Sequence, residues 1–467
     1  MIRSKLSLAL ASTTGLFCTM LILGPLPQNS IRAQNLTAPI LAGSWQSTHH
    51  NPAMLHFLPG ELTVGLPGLA NDFRLQHLDY SDLFTQRNGE RLLDLANWSA
   101  LARENNEVQN VFSIETLGGA YRWKSWVFSA YHRLRTQGEG EYPKELVDLL
   151  ALGNAAYIGQ TVSIAPRGTL TSWQEVGVSA SYALSDRIAV AGRLKYLAGA
   201  SNIQSVAGGR LELTTGAENY SLTLDQDYTL QTVNAIGYRG LDEVDFTYSP
   251  NQMRPGDLFG SNTGLAADVG VAIDLDRLRL NASATDLGAG IDWREGITTL
   301  SFQGSDRFTG LDILTDLLRD TVSLQTAVDT LRATFEPTEN AAAYRTDMAP
   351  SFHLGGEYDL TQNLTAGALL VLEDRNGRTL PVYALSARYA LSRWLQLGGS
   401  VNYRTDIRTN VGLHLYASPG RFRFLVSSDK FVRLVTTGNP SLAGIRLGAS
   451  WVLGASERNR LISAFRP

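Results

Sequence analysis

Seven histidines and one cysteine have the most obvious capacity for chemistry in this sequence. Cys18 lies in an apolar N-terminal run, so a chain cleaved after that run keeps no thiol. That excludes a disulfide scaffold, a thiolate metal site and a cysteine nucleophile. His414 stands between Leu413 and Leu415 on the polar side of an alternating stretch. It could serve as a base, but no nucleophile motif accompanies it, and hydrogen bonding inside the fold is its expected role. His49 and His50 could bind a metal, yet two adjacent imidazoles in a flexible segment read as polar filler. No nucleotide loop, dinucleotide fingerprint or metal-spaced cluster occurs. The expectation is therefore no catalytic residue, no metal and no cofactor. A net charge of −4 gives no reason to expect nucleic acid.

Cations placed by alternation are more informative. Arg193, Lys195, Arg279, Arg388, Arg404, Arg423 and Arg446 all take the polar side of their strands. They can pair with carboxylates such as Glu175, Glu357 and Glu373 and stiffen a wall. They can also attract an anionic headgroup, or simply be solvated.

The elements that must position them are strands. Val176, Val178, Ala180, Tyr182 and Leu184 share one face, and Gly177, Ser179, Ser181 and Ala183 the other. The stretches from Ile188, from Leu395 and from Ile445 alternate in the same way. Such runs are about 10 residues long, the length a tilted strand needs to cross a bilayer. Soluble strands average nearer 5 or 6. Trp123, Trp126, Tyr182, Trp394, Tyr403 and Phe422 sit at strand ends, where an interfacial girdle belongs.

Tight turns are expected at 122–125, 184–187, 274–277, 360–363, 390–393 and 418–421. Between consecutive turns lies a strand, a longer connection and a returning strand, which gives about 14 strands, the even count of outer-membrane barrels. In the long connections, Leu83 to Asn106 and Tyr142 to Ile158 read as short helical segments. Arg210 to Asn234 reads as a hairpin, and Leu311 to Phe335 as an amphipathic helix.

The N-terminus has a basic start (Arg3, Lys5), an apolar run from Leu6 to Gly24, a break at Pro25 and Pro27, and Ile31-Arg32-Ala33 before Gln34. That is the layout of a secretory signal peptide cut after Ala33; an uncleaved membrane anchor is the alternative. Charged residues are only 18% of the chain, against roughly 25% in soluble proteins.

"HHNPAMLHFLPG" (His49 to Gly60) resembles the Asn-Pro-Ala motif that ends the N-terminal hatch of FadL-type long-chain fatty acid transporters. "EVGVSASYALSDRIAVAGRLKYLAGASNIQS" (Glu175 to Ser205) and "SNTGLAADVGVAIDLDRLRLNASATDLGAGIDW" (Ser261 to Trp293) resemble a domain-of-unknown-function family of outer-membrane barrels. That family occurs in the bacterial phylum that uses type IX secretion. The resemblance implies a hatch role for Asn51, Pro52 and Ala53. One departure is the chain end, Phe465-Arg466-Pro467, where many such barrels end on an aromatic residue.

The expected fold is all-β: an antiparallel transmembrane β-barrel of about 14 strands with an N-terminal hatch and helical and hairpin outer loops. Residues 1–33 are the signal peptide, 34–58 the hatch, 59–456 the barrel and 457–467 a short tail. The expected function is a passive FadL-like outer-membrane channel for hydrophobic or amphipathic small molecules. The alternative is a non-transporting adaptor or structural barrel. Expected partners are outer-membrane lipid, a hydrophobic small-molecule ligand and, in the alternative, a secretion or surface protein.

Overall fold

The computed structural model describes residues 41–454 together with Leu36 and Pro39, apart from 76–77, 79, 88–89, 219–220, 239–243, 247–252, 254, 309–335, 376–377, 405–406, 433–434 and 436–443. The expected signal peptide (1–33), the expected tail (457–467) and the expected amphipathic helix (Leu311 to Phe335) thus lie outside the described residues. Among the described residues no helix is long and apolar enough to cross a membrane. The crossing elements are strands.

Fourteen antiparallel strands close on themselves. They are β1 (Leu62–Leu75), β2 (Asn105–Trp123), β3 (Trp126–Pro143), β4 (Arg167–Ala183), β5 (Ile188–Ser205), β6 (Thr263–Leu275) and β7 (Leu278–Leu287). The second half is β8 (Ser351–Asp359), β9 (Leu364–Arg375), β10 (Arg378–Ser392), β11 (Leu395–Arg404), β12 (Ile407–Ala417), β13 (Phe422–Ser428) and β14 (Ile445–Leu453). β1 pairs with β2 on one edge and with β14 on the other, from Leu62↔Leu453 to Asn71↔Ile445. All six expected tight turns fall between consecutive strands.

Alternation sorts the wall into two faces. Leu194 is 67% exposed between Arg193 at 2% and Lys195 at 1%. Exposed Trp123, Trp126, Trp394 and Phe422 cluster at the tight-turn end, and Phe422 stacks on Trp451. An outward apolar band with an aromatic rim, around a polar interior, is the arrangement of a membrane-spanning barrel.

At the long-loop end the chain builds a crown. Leu222–Val233 pairs with Arg210–Thr215, as the hairpin expectation requires, and also along its length with Ile297–Phe308. Tyr142–Ile158 holds the helix Lys144–Leu152 and a 3-10 turn. Leu83–Asn106 is only partly helical: the hairpin Phe84–Arg87 with Glu90–Leu93 precedes the helix Leu95–Leu101. The two helices meet through Ser99 Oγ, which donates to Asp148 Oδ1 at 2.6 Å, while Trp98 Nε1 donates to Tyr142 Oη at the end of β3 at 3.0 Å. Leu146, Ile164, Ile203 and Leu230 complete a closed apolar core beneath them.

Candidate functional site: the occupied lumen

Residues 41–58 lie inside the barrel, where the hydroxyl and carboxamide chemistry of the segment organises two 3-10 helices. Ser44 caps Trp45–His49, its Oγ accepting from Ser47 N at 3.2 Å. Asn51 caps Pro52–Phe57: its Oδ1 accepts from Ala53 N at 2.9 Å, and Pro52 occupies a first-turn position where no N–H is needed. The same carboxamide then donates from Nδ2 to the carbonyls of Val271 (3.2 Å) and Ala282 (3.1 Å), on β6 and β7. Asn51 therefore ties a local cap to the wall, while Ala53, fully buried, packs with Met54, Phe57 and Ala272. At Gly60, whose φ is +79°, a side chain would strike β14 backbone, and Glu61 N donates to Leu453 O at 3.0 Å as the wall begins.

Glycines on the wall receive this segment. A Cβ at Gly65 or Gly118 would collide with the Trp45 indole, at Gly270 with Asn51, and at Gly448 with Gln46. Trp45 Nε1 donates to Glu115, and its ring meets His49 edge-on with centroids 5.8 Å apart.

A buried ion network surrounds the segment. Glu175 accepts from Arg133 Nη2 (2.6 Å), Arg135 Nη1 (3.0 Å) and Tyr131 Oη (2.6 Å). Arg193 pairs with Asp268 at 3.1 Å and donates from Nη2 to Thr48 O at 2.6 Å, so a wall cation holds the segment's backbone. Lys195 pairs with Asp268 at 2.5 Å and with Asp286. Taking these charges out of water is costly, and the network is tolerable because each is paired and hydrogen-bonded.

The other cations expected in the lumen divide. Arg279 reaches Asp359 (2.9 Å) and Glu357 (3.4 Å), and Arg388 reaches Glu357 at 2.6 Å, in a second cluster. Arg423 turns back to the carbonyls of Gly420 and Phe422, both 2.8 Å, at the rim. Arg446 lines a cavity. The side chains of Arg404 and Glu373 lie outside the described residues. Sequence reasoning missed Arg133 and Arg135, although Arg133, Arg135 and Gln137 alternate with Leu134 and Thr136 as an inward face would.

That cavity, of about 70 Å³, lies beside the segment and is lined by His49, His50, Arg133, Arg135, His353 and Arg446, among others. The two adjacent histidines are thus ordered lumen residues, contrary to the expectation of filler in a flexible segment. His49 Nε2 lies 3.1 Å from Glu115 Oε1 without the alignment of a hydrogen bond. His50 meets His353 edge-on at 5.6 Å. Burial holds both below the ordinary histidine value, outweighing Glu115 at His49; at His50, Arg446 lowers it further. Among the described residues no group of three or more His, Cys, Asp or Glu is placed to hold a metal. His414 is buried on the inner face against Gly398.

The family of unknown function DUF5723 matches residues 52–429. The chain belongs to this family. No curated protein matches it in sequence. Among solved structures it is similar to a TodX deltaS2S3 mutant monoaromatic hydrocarbon channel, at 9% identity over 87% of this chain and 94% of that one, with a TM-score of 0.48. It is also similar to the Ralstonia pickettii toluene transporter TbuX (10%, 92% and 94%, TM-score 0.43). A Pseudomonas aeruginosa FadL homologue is likewise similar (10%, 91% and 96%, TM-score 0.44).

Two outcomes are expected from the lumen chemistry. Glu175→Gln leaves two buried guanidiniums without their carboxylate, a loss of about 3–5 kcal/mol. It should lower the temperature at which the detergent-solubilised barrel unfolds; an unchanged temperature would count against the network. Because His49 and His50 are held neutral in the seated segment, unseating takes up protons as pH falls below about 6.5. Seating therefore weakens from there down to the depressed values and is flat below them. The protection of residues 41–58 against hydrogen exchange, taken relative to the intrinsic exchange rate at each pH, should be lower at pH 5 than at pH 7.5, and a pH-independent protection factor would contradict this.

Proposed function

We propose that this protein is an outer-membrane barrel that passes hydrophobic or amphipathic small molecules passively, with its own N-terminal segment as the hatch. In this reading residues 1–33 direct export and are removed after Ala33. Residues 34–58 form the hatch, 59–456 the wall and 457–467 a short tail, and outer-membrane lipid surrounds the apolar band. One observation carries the proposal: the lumen is filled by a short chain segment held by polar contacts and glycine cradles, joined to the wall at Gly60. Such a filling can leave without dismantling the wall, whereas side chains rooted in strands cannot. The strand ladder also has a weak point beside the hatch. At Pro67, which has no N–H to donate, pairing with β2 skips from Gly65 to Gly68, and pairing with β14 skips from Leu66 to Leu69. With no energy source in the chain, net flux follows consumption on the far side.

A non-transporting adaptor is the second reading. It draws on the crown, whose described apolar residues pack into one buried cluster. Proteoliposome efflux separates the two. A barrel lacking residues 34–58 should release an amphipathic dye several-fold faster than the full chain. If neither form releases it above the lipid background, the channel reading fails and the adaptor stands.

A further inference from the structure

Between Val233 and Thr263 the chain leaves the crown and returns to the wall. Ala235 and Ile236 belong to the crown's apolar core, and Ile236–Tyr238 pairs with Val244–Phe246. The connection then forms a 3-10 turn, Pro255–Phe259. Tyr196 Oη on β5 donates to Leu258 O in this turn at 3.0 Å. Tyr196 shares a strand face with exposed Leu194, opposite the buried Arg193 and Lys195, and pairing with β4 and β6 shows no shift across these residues. The turn is therefore seated against the outer face of the wall and not over its mouth. Just beyond it the chain is fixed: Gly199 N donates to Asn262 O at 2.7 Å, and Asn262 Oδ1 accepts from Arg294 N and Glu295 N.

The chemistry of the turn suits that place. Phe259 is 89% exposed, and Leu265, the pairing partner of Tyr196 on β6, is 71% exposed. Leu194 and its partner Val178 continue the same exposed apolar surface. One exposed apolar side chain is ordinary, whereas a continuous run marks an interaction surface. With strands tilted by roughly 40°, the wall climbs about 20 Å from Ile188 at the tight-turn end to Tyr196, close to the outer border of an apolar band about 25 Å tall. Backbone groups need protein partners where water is scarce. Here Pro255 has no N–H, the Tyr196 hydroxyl answers Leu258 O, and Gly260 N donates to Asp257 O at 3.2 Å. Asp257, the turn's one charged residue, belongs at the headgroup border and not in hydrocarbon.

We propose that Pro255–Phe259 is a membrane anchor, a turn on the outer face of β5 that inserts Phe259 among the acyl chains of the outer leaflet. The partner is the lipid surface itself, because Phe259 extends the surface of Leu194 and Leu265 that already faces lipid. An aromatic ring beside a polar turn matches the amphipathic border of a bilayer. The anchor fixes the height at which the connection between crown and β6 meets the membrane. It holds whether the barrel is a channel or an adaptor.

Spin labelling tests this on the full chain with Cys18→Ser as background, reconstituted in vesicles of palmitoyl-oleoyl phosphatidylethanolamine and phosphatidylglycerol. Nitroxides are placed at Phe259→Cys, at Leu194→Cys on the wall and at exposed Glu339→Cys in the crown. Each is measured by its collisions with oxygen, which concentrates in hydrocarbon, and with a nickel chelate, which stays in water. The oxygen-to-nickel ratio of Phe259→Cys should match that of Leu194→Cys and exceed that of Glu339→Cys several-fold. Heat-modifiable migration shows that each labelled barrel is folded, and replacing the exposed Phe259 leaves no cavity in a core. A ratio equal to that of Glu339→Cys places the turn in water and overturns the anchor. Few collisions with either reagent, the mark of a side chain covered by a protein partner or a second copy, overturn it as well.

Discussion

Leu62 to Asn71 of the first strand pair with Leu453 to Ile445 of the last, and through that seam the sheet becomes a cylinder. In hydrocarbon each unpaired backbone group costs several kcal/mol, so a row of open N–H and C=O groups along β1 could not be sustained. Closure is therefore the condition on which the wall depends, and it reaches back into the sequence. The first strand must start at the tight-turn end, where Glu61 N finds Leu453 O, and everything before it must be disposed of elsewhere.

Closure at this strand number creates a second problem, an interior wider than wall side chains readily fill. The chain answers it with the residues that precede the first strand. Glycines at 65, 118, 270 and 448 clear the inner face where Trp45, Gln46 and Asn51 must lie. Charges whose partners sit directly opposite on neighbouring strands, Arg133 with Glu175 and Arg193 with Asp268, occupy the rest. The wall and its contents are thus specified by the same inner-face positions. The seated segment touches β1, β2, β5, β6, β7 and β14 through these contacts, which is why one short stretch can hold its place in a wide interior.

Much of this was legible residue by residue. Leu194 between Arg193 and Lys195 states which face meets lipid, and Pro59-Gly60 marks where filling ends and wall begins. The strand count followed from turns that need only local chemistry. What was hidden depends on register, which no single strand carries. Arg133 and Arg135 acquire their meaning from Glu175, some forty residues away, and Ile297–Phe308 joins the crown by pairing with a strand more than sixty residues earlier. One miss did have a local signal. Between the paired strands Phe84–Arg87 and Glu90–Leu93 the sequence reads Asn-Gly, the dipeptide favoured in tight hairpin turns. The order of His49 and His50 had none, since it comes from burial by the barrel around them.

The central claim is that residues 41–58 sit in the lumen as a removable closure. With Cys18 as the chain's only cysteine, in the expected signal peptide, a designed pair can lock the segment to the wall. Gln46→Cys with Gly448→Cys places thiols where the native side chain already lies against the glycine. Oxidation should form the cross-link in the folded barrel and stop dye passage through proteoliposomes, and reduction should restore it. A folded barrel that forms no cross-link, or passes dye equally well when cross-linked, would contradict the account.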